Sequence, residues 1–213
     1  MFVGERMSRP VISVSPDAPI NEVLVMFREE HIRRAPVMKD GKLVGIVSER
    51  DLLNASPSQV TSLSVWELNY LISKVTVKSV MTKKVITVDK DTPIEEAARI
   101  MADKKIGGIP VVSEGKVVGM ITETDLFKAF LELMGARQKA TRVTATIPDQ
   151  PGELAKITKA IAHNGGDFIS FGIFSGPDAN SRVITFKVDG IKKEKIREVL
   201  GSLVIKFWDI RYS

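Results

Sequence analysis

The chain has 213 residues, 44% of them hydrophobic and 27% charged, with no cysteine and a net charge of +5. That length suits one large domain or two smaller ones, and the missing cysteine excludes disulfides, thiolate metal sites and cysteine nucleophiles. Residues 1–140 carry 20 Lys+Arg against 18 Asp+Glu, residues 141–213 carry 11 against 8, and the basic runs are pairs such as Arg33-Arg34, a pattern of solvated mixed charge that argues against a dedicated nucleic-acid face. No apolar run reaches membrane-spanning length and Met1–Arg6 lacks the apolar stretch of a secretory signal, so cytoplasmic residence is expected.

An internal repeat organises the first two thirds of the chain. Shifted by 74 positions, Met7–Leu53 lies on Met81–Phe127 without a gap, and 18 of the 47 positions are identical. Chance at ordinary composition gives roughly 3. Each copy starts with a β-branched stretch, Val11–Val14 or Val85–Val88, expected to be a strand. A helix follows, with Ile20, Val23, Leu24 and Phe27, or Ile94, Ala97, Ala98 and Met101, at helical spacing. Thr92-Pro93-Ile94-Glu95 has the pattern of a capping box, and Asp17 is the candidate cap of the first copy. Pro36–Met38 and Pro110–Val112 are then strands that turn at Gly41 or Gly115 into Leu43–Val47 or Val117–Ile121. A second helix opens at Ser48 or Thr122.

One copy of about 50 residues is too small to bury a stable core by itself, whereas two packed copies form a reasonable domain. The expected boundaries are 1–60 for the first copy, 61–80 for a connector whose helix starts at Ser64 and includes Trp66, Leu68, Leu71 and Ile72, and 81–134 for the second copy. Residues 135–140 read as a linker. From 141 the pattern changes to strand (Arg142–Ile147), helix after Pro151-Gly152 with Leu154, Ile157, Thr158 and Ile161 on one face, strand (Phe168–Phe174), strand (Arg182–Val188), helix (Ile191–Leu200) and strand (Leu203–Ile210). That βαββαβ order is ferredoxin-like.

Each copy ends in Gly-x-x-Ser/Thr-x-x-Asp: Gly45, Ser48 and Asp51, then Gly119, Thr122 and Asp125. A hydroxyl three residues before an acid at a helix start closes a capping box. The same helix end offers free N–H groups and a positive dipole end to a phosphate, and an aspartate one turn in is placed to accept both ribose hydroxyls. Both readings stand on the residues alone.

These motifs carry the resemblances. The duplicated unit resembles the CBS domain, so residues 7–133 resemble a tandem CBS pair, or Bateman module. Asp149-Gln150-Pro151-Gly152-Glu153-Leu154 is similar to the D-x-P-G-x-L turn of ACT domains, and residues 141–213 resemble that family. A CBS pair followed by an ACT domain resembles the acetoin-utilisation protein B (AcuB-like) family. The implied fold class is α/β (α+β), a CBS pair plus a ferredoxin-like ACT domain.

The CBS resemblance implies clefts for AMP, ADP or ATP, with S-adenosylmethionine or NAD as variants. It places Ser48 and Thr122 toward phosphate, Asp51 and Asp125 toward ribose, and the base near Ser13, Val14, Ala35 and Pro36 in one cleft and Thr87, Val88, Gly108, Ile109 and Pro110 in the other. Arg33 and Arg34 stand where the second copy has Gly107 and Gly108, so the first cleft is expected to be the more cationic and the two sites unequal. The ACT resemblance implies homodimerisation, or an amino-acid effector near Asp149, Pro151, Gly152, Leu154 and Asp167, although Asp167 replaces the asparagine common there. The chain shows no Walker-type loop and no nucleophile–base–acid set. His31 and His163 lie in different parts, which speaks against a metal site. The expected function is that of a non-enzymatic sensor acting on a target enzyme, without a catalytic cofactor or membrane partner.

Overall fold

The computed structural model describes residues 1–55 and 74–213; the expected connector helix from Ser64 lies outside them. The chain forms two compact units, Met1–Leu126 and Phe127–Ser213.

In the first unit the repeat is built twice. Helix α1 (Val3–Arg6) is followed by α2 (Ile20–Glu29), strands β1 (Arg34–Lys39) and β2 (Lys42–Ser48), and α3 (Glu49–Asn54). The second series is α4 (Val77–Val80), β3 (Val88–Asp89), α5 (Ile94–Lys104), β4 (Gly108–Ser113), β5 (Lys116–Thr122) and α6 (Glu123–Leu133), the last running on past the unit boundary. The hairpins β1–β2 and β4–β5 are antiparallel, each with a register shift in the same place, after Val37 and after Val111. Their turns place two successive residues at positive φ: Asp40 at 49° and Gly41 at 74°, then Glu114 at 50° and Gly115 at 74°. Two left-handed residues match the twist of the flanking strands, and glycine adopts that conformation freely.

The strands expected over Val11–Val14 and Val85–Val88 are shorter than the β-branched runs suggested. Val14 makes a single parallel bridge to Val37, and only Val88–Asp89 pairs with β4. The remaining residues of those runs are half-buried or exposed, and without a neighbouring strand β propensity alone does not hold a ladder.

The helix caps also differ from expectation. Neither Asp17 nor Thr92 caps its helix; α2 and α5 have Pro19 and Pro93 at the N-cap, with no side-chain cap bond. The cap is supplied by distant backbone. Ile94 N–H donates to the Met1 carbonyl (3.2 Å) and Ile20 N–H to the Val75 carbonyl (3.0 Å), which satisfies a helix-terminal N–H as a side chain would.

Those bonds reveal a crossing. The segment before the first copy packs on the second: Val3 N–H bonds to Thr92 O (2.9 Å) and Gly4 N–H to Lys90 O (2.7 Å). The segment before the second copy packs on the first at the equivalent places: Val77 N–H to Ala18 O (3.0 Å) and Lys78 N–H to Pro16 O (2.8 Å). Val77 accordingly joins the core of Val14, Ile20, Val23, Phe27, Ala35, Val37, Val47 and Leu52, and Val3 joins that of Val88, Ala97, Met101, Ile109, Val111 and Ile121. Behind each leader, Met81 sits over Gly45 and Met7 over Gly119, where a Cβ would collide with the thioether. Each core is completed by the other copy's leader.

The second unit has β6 (Thr141–Pro148), α7 (Glu153–His163), β7 (Asp167–Ser175), β8 (Ser181–Asp189), α8 (Lys193–Leu200) and β9 (Lys206–Tyr212). The sheet is antiparallel, in the order β7-β8-β6-β9, which is the ferredoxin-like arrangement the element order implied. The core is formed by one sheet face (Val143, Ala145, Ile147, Ile184, Phe186 and Val188) and the inner faces of α7 and α8. Ile157 and Ile161 of α7 are buried, but Leu154 and Thr158 are exposed, so the buried stripe is narrower than the spacing suggested. Lys187 is buried on the other sheet face, with its ammonium donating to the carbonyls of Gly135 (3.2 Å), Gln138 (2.8 Å) and Ser213 (3.3 Å). It thereby pins the segment entering the sheet.

Candidate nucleotide-binding clefts

The two Ser/Thr-x-x-Asp pairs occupy equivalent positions. In the first copy Ser48 is the N-cap of α3, and its hydroxyl and N–H donate to Asp51 Oδ2 at 2.6 and 2.8 Å. Asp51 N–H donates back to Ser48 Oγ at 3.3 Å, closing a full capping box. In the second, Thr122 Oγ1 and N–H donate to Asp125 Oδ2 at 2.7 and 2.9 Å. Both pairs therefore have a structural role. Asp51 is half-buried and Asp125 is 6% exposed, and each uses Oδ2 for these bonds, so that Oδ1 makes no hydrogen bond among the described residues.

The remaining expected residues divide into core and surface. Ala35, Pro36, Ile109, Pro110 and Val88 are buried, as are Val14 and Gly108, while Ser13, Arg33 and Thr87 are exposed. Val14 N–H donates to Pro36 O (3.1 Å) and Val14 O accepts from Met38 N–H (2.9 Å). Its backbone is therefore engaged within the sheet, leaving Ser13 as the neighbouring residue open to solvent.

Arg34 corrects the expectation that it and the Gly107-Gly108 pair characterise separate clefts. Its side chain crosses to the second copy. A Cβ on Gly107 would lie 2.5 Å from Arg34 Nη2 and 2.8 Å from Glu123 Oε2, and one on Gly108 would lie 2.7 Å from Arg34 Cδ. The glycines are the space the arginine fills. Burial lowers the Arg34 pKa below the ordinary arginine value, opposed by the charge of Glu123, with Arg33 lowering and Asp51 raising it further. Glu123 had no place among the expected site residues. The repeat gave no signal for it, since Glu49 stands at the equivalent position.

In the second unit the five residues expected around an effector do not meet within one chain. Asp149, Pro151, Gly152 and Leu154 surround the start of α7, whereas Asp167 opens β7 opposite Asp189. Pro148 pairs with Ser181 at one end of β8 and Asp167 with Asp189 at the other, a separation of about 25 Å at ordinary strand rise. The Asp149 carboxylate is also engaged by Arg182 Nε at 2.9 Å. Among the described residues there is no cluster of three or more His, Asp or Glu side chains placed to hold a metal.

The CBS domain family matches residues 3–58 and 77–132, together more than half of the chain. The chain belongs to the CBS domain family. Both matches begin at the crossing leaders, so each family unit includes the segment that packs on its neighbour. The chain is 34% identical over 157 residues to protein MJ1426 of Methanocaldococcus jannaschii, covering 62% of this chain and 92% of that one. It is 38% identical over 120 residues to the inosine-5′-monophosphate dehydrogenase of Korarchaeum cryptofilum, covering 56% of this chain but 22% of that enzyme. Among solved structures, the CBS domain pair of protein MJ0100 in complex with 5′-methylthioadenosine and S-adenosyl-L-methionine superposes with a TM-score of 0.52 at 28% identity, over 65% of this chain and 98% of that one. A candidate acetoin utilization protein (AcuB) from Vibrio cholerae gives a TM-score of 0.53 at 28% identity, over 64% of this chain and 95% of that one. No helix among the described residues is long and apolar enough to cross a membrane.

Proposed function

We propose that this chain is a non-catalytic regulatory protein whose CBS clefts bind adenosine-containing ligands, AMP, ADP or ATP, and whose C-terminal unit is an ACT-type module for dimerisation or a second effector. The observation that carries this reading is the matched pair of hydroxyl–carboxylate groups at two helix starts, each with a carboxylate oxygen to spare. Asp51 and Asp125 accept the ribose hydroxyls through those oxygens. Ser48 and Thr122 turn toward phosphate at the positive end of the helix. The base lies beside Ser13 in one cleft and Thr87 in the other. The ligands of the MJ0100 pair support an adenosine site in general and favour S-adenosylmethionine as the second reading.

The ACT assignment is supported by the strand order of the sheet and by the Pro151-Gly152 turn, with Gly152 at φ 89° before α7. The likeness to AcuB points to acetoin or related carbon metabolism as the regulated process. Ligand in the clefts shifts the packing between copies, and the C-terminal unit passes the change to a target enzyme in the cytoplasm; such a switch requires the ligand to bind the two states differently.

Calorimetric titration of the purified protein with AMP, ADP, ATP and S-adenosylmethionine tests the reading. Binding of at least one is expected, weakened more than about tenfold in the Asp51→Ala/Asp125→Ala double variant through loss of charge-assisted ribose bonds. Undiminished binding in that variant sinks the site assignment.

A further inference from the structure

We propose that the start of α8 holds the phosphate group of a small phosphate monoester, in a cavity at the end of the second unit's sheet remote from the Asp149–Leu154 turn. The inference is independent of the nucleotide reading.

The register of the sheet brings the residues together. Thr141 opens β6, paired with Tyr212 of β9 on one side and with Val188 of β8 on the other. It alternates in step with the buried Val143, Ala145 and Ile147, so it faces the helices, as does Tyr212 beside it. Strand β8 then ends at Asp189, and the chain turns through Gly190, at φ 76°, toward α8. Thr141, Tyr212, Lys192, Lys193 and this turn line a cavity of about 400 Å³, the size of a small-metabolite site.

Three features of the cavity call for an anion. The first is the helix start. Lys192 is the N-cap of α8 and offers no acceptor, so no side chain caps the helix. The N–H groups of Lys193 and Glu194 find no acceptor among the described residues. The second feature is charge. Lys192 and Lys193 stand at the positive pole of the helix, where cations are unfavourable. Lys193 reaches Glu194 only at 3.8 Å, and Asp189 Oδ1 already accepts from the Gly190 N–H at 2.8 Å. The third is Thr141 itself. It is 5% exposed and lines the cavity, yet its hydroxyl makes no hydrogen bond among the described residues. Leaving a buried hydroxyl unpaired is costly.

A phosphate monoester answers all three. One oxygen meets the N–H groups of the helix start, a second meets Thr141 Oγ1, and the charge lies against the two ammonium groups. A carboxylate has too few oxygens for the helix start, the hydroxyl and both lysines. The organic part packs on the Tyr212 ring. The two carboxylates of the lining, Asp189 and Glu194, suit hydroxyls on that part and repel a second anion.

Titration of glycerol phosphate into the full isotope-labelled chain, at constant ionic strength, tests the site. Saturable amide shifts are expected at Gly190, Lys193 and Glu194. The Lys192→Gln/Lys193→Gln protein should bind about tenfold more weakly, and Thr141→Val about fivefold, the size of one hydrogen bond. Lys195 is paired with Glu198 at 2.7 Å and lies outside the cavity lining, so Lys195→Gln should stay within about twofold. An equal loss in Lys195→Gln would reduce the effect to general charge and overturn the site. So would an unchanged Thr141→Val protein, or shifts confined to Ser48 and Thr122. Lys192 and Lys193 are exposed, so their variants decide the matter if Thr141→Val unfolds. Inorganic phosphate that binds as tightly as glycerol phosphate overturns the assignment to an ester.

Discussion

The two CBS copies share 18 of 47 aligned residues and the same elements in the same order, yet they are not interchangeable. The first contributes Arg34 to the space between them, and the second contributes the glycines that receive it. The first closes a full capping box around a half-buried Asp51; the second buries Asp125. The first packs Phe27 where the second packs Met101. Arg34 and its glycines teach that a duplicated unit specialises where the copies touch, because two large charged side chains cannot fill one space.

The crossing leaders set the strongest test of that comparison. Phe27 is fully buried in the first core, so Phe27→Ala should cost about 3–5 kcal/mol. Because Val3 and Val77 are exchanged, hydrogen exchange should show amides of both β2 and β5 losing protection together. Loss confined to β1–β2 would show that the copies unfold separately.

Next in size, Val3→Ala and Val77→Ala each remove methyl groups from a fully buried site, at about 2 kcal/mol. The effect should appear in the copy that is remote in sequence: Val3→Ala loosens β4–β5, and Val77→Ala loosens β1–β2. Exchange protection of the two hairpins decides it, and the opposite pattern would refute the crossing.

Ser48→Ala removes the hydroxyl that caps α3, which costs about 1 kcal/mol by denaturant midpoint, whereas Thr122→Ala, which removes a hydroxyl that only donates to Asp125, should cost less. The smallest effect concerns the second unit. Bonding to Arg211, and then the Arg142 charge, lowers the Asp209 pKa below its ordinary value. A carboxylate with a depressed native pKa stabilises above its unfolded pKa and loses that contribution as pH falls through the native one. The Asp209→Asn protein should be slightly less stable than wild type above about pH 4, the ordinary aspartate pKa, and the gap should close as the pH falls below it. Acid titration of thermal midpoints checks this, and a gap that widens on acidification would reverse the sign.

Much of the fold was legible because its signals are short-range. The Asp40-Gly41 and Glu114-Gly115 turns, the helical spacing of Ile20, Val23 and Phe27, and the i,i+3 pairs Ser48–Asp51 and Thr122–Asp125 depend on residues a few positions apart. The β-branched runs at Val11 and Val85 overstated their strands because pairing needs a partner, which propensity does not supply. Thr92 looked like a cap because its local pattern is right, but a carbonyl from Met1 reaches the helix end first.

The sequence by itself determined the duplication, the βαββαβ order of the second unit and the identity of the two hydroxyl–carboxylate pairs. Tertiary structure alone decided that each leader completes the other copy's core, that Asp149 and Asp167 stand at opposite ends of one sheet, and that Arg34 lies on Gly107 and Gly108. The physical reason is range. Periodicity and capping are fixed by neighbours along the chain, whereas these contacts join segments tens of residues apart, brought together by closing two incomplete cores against each other.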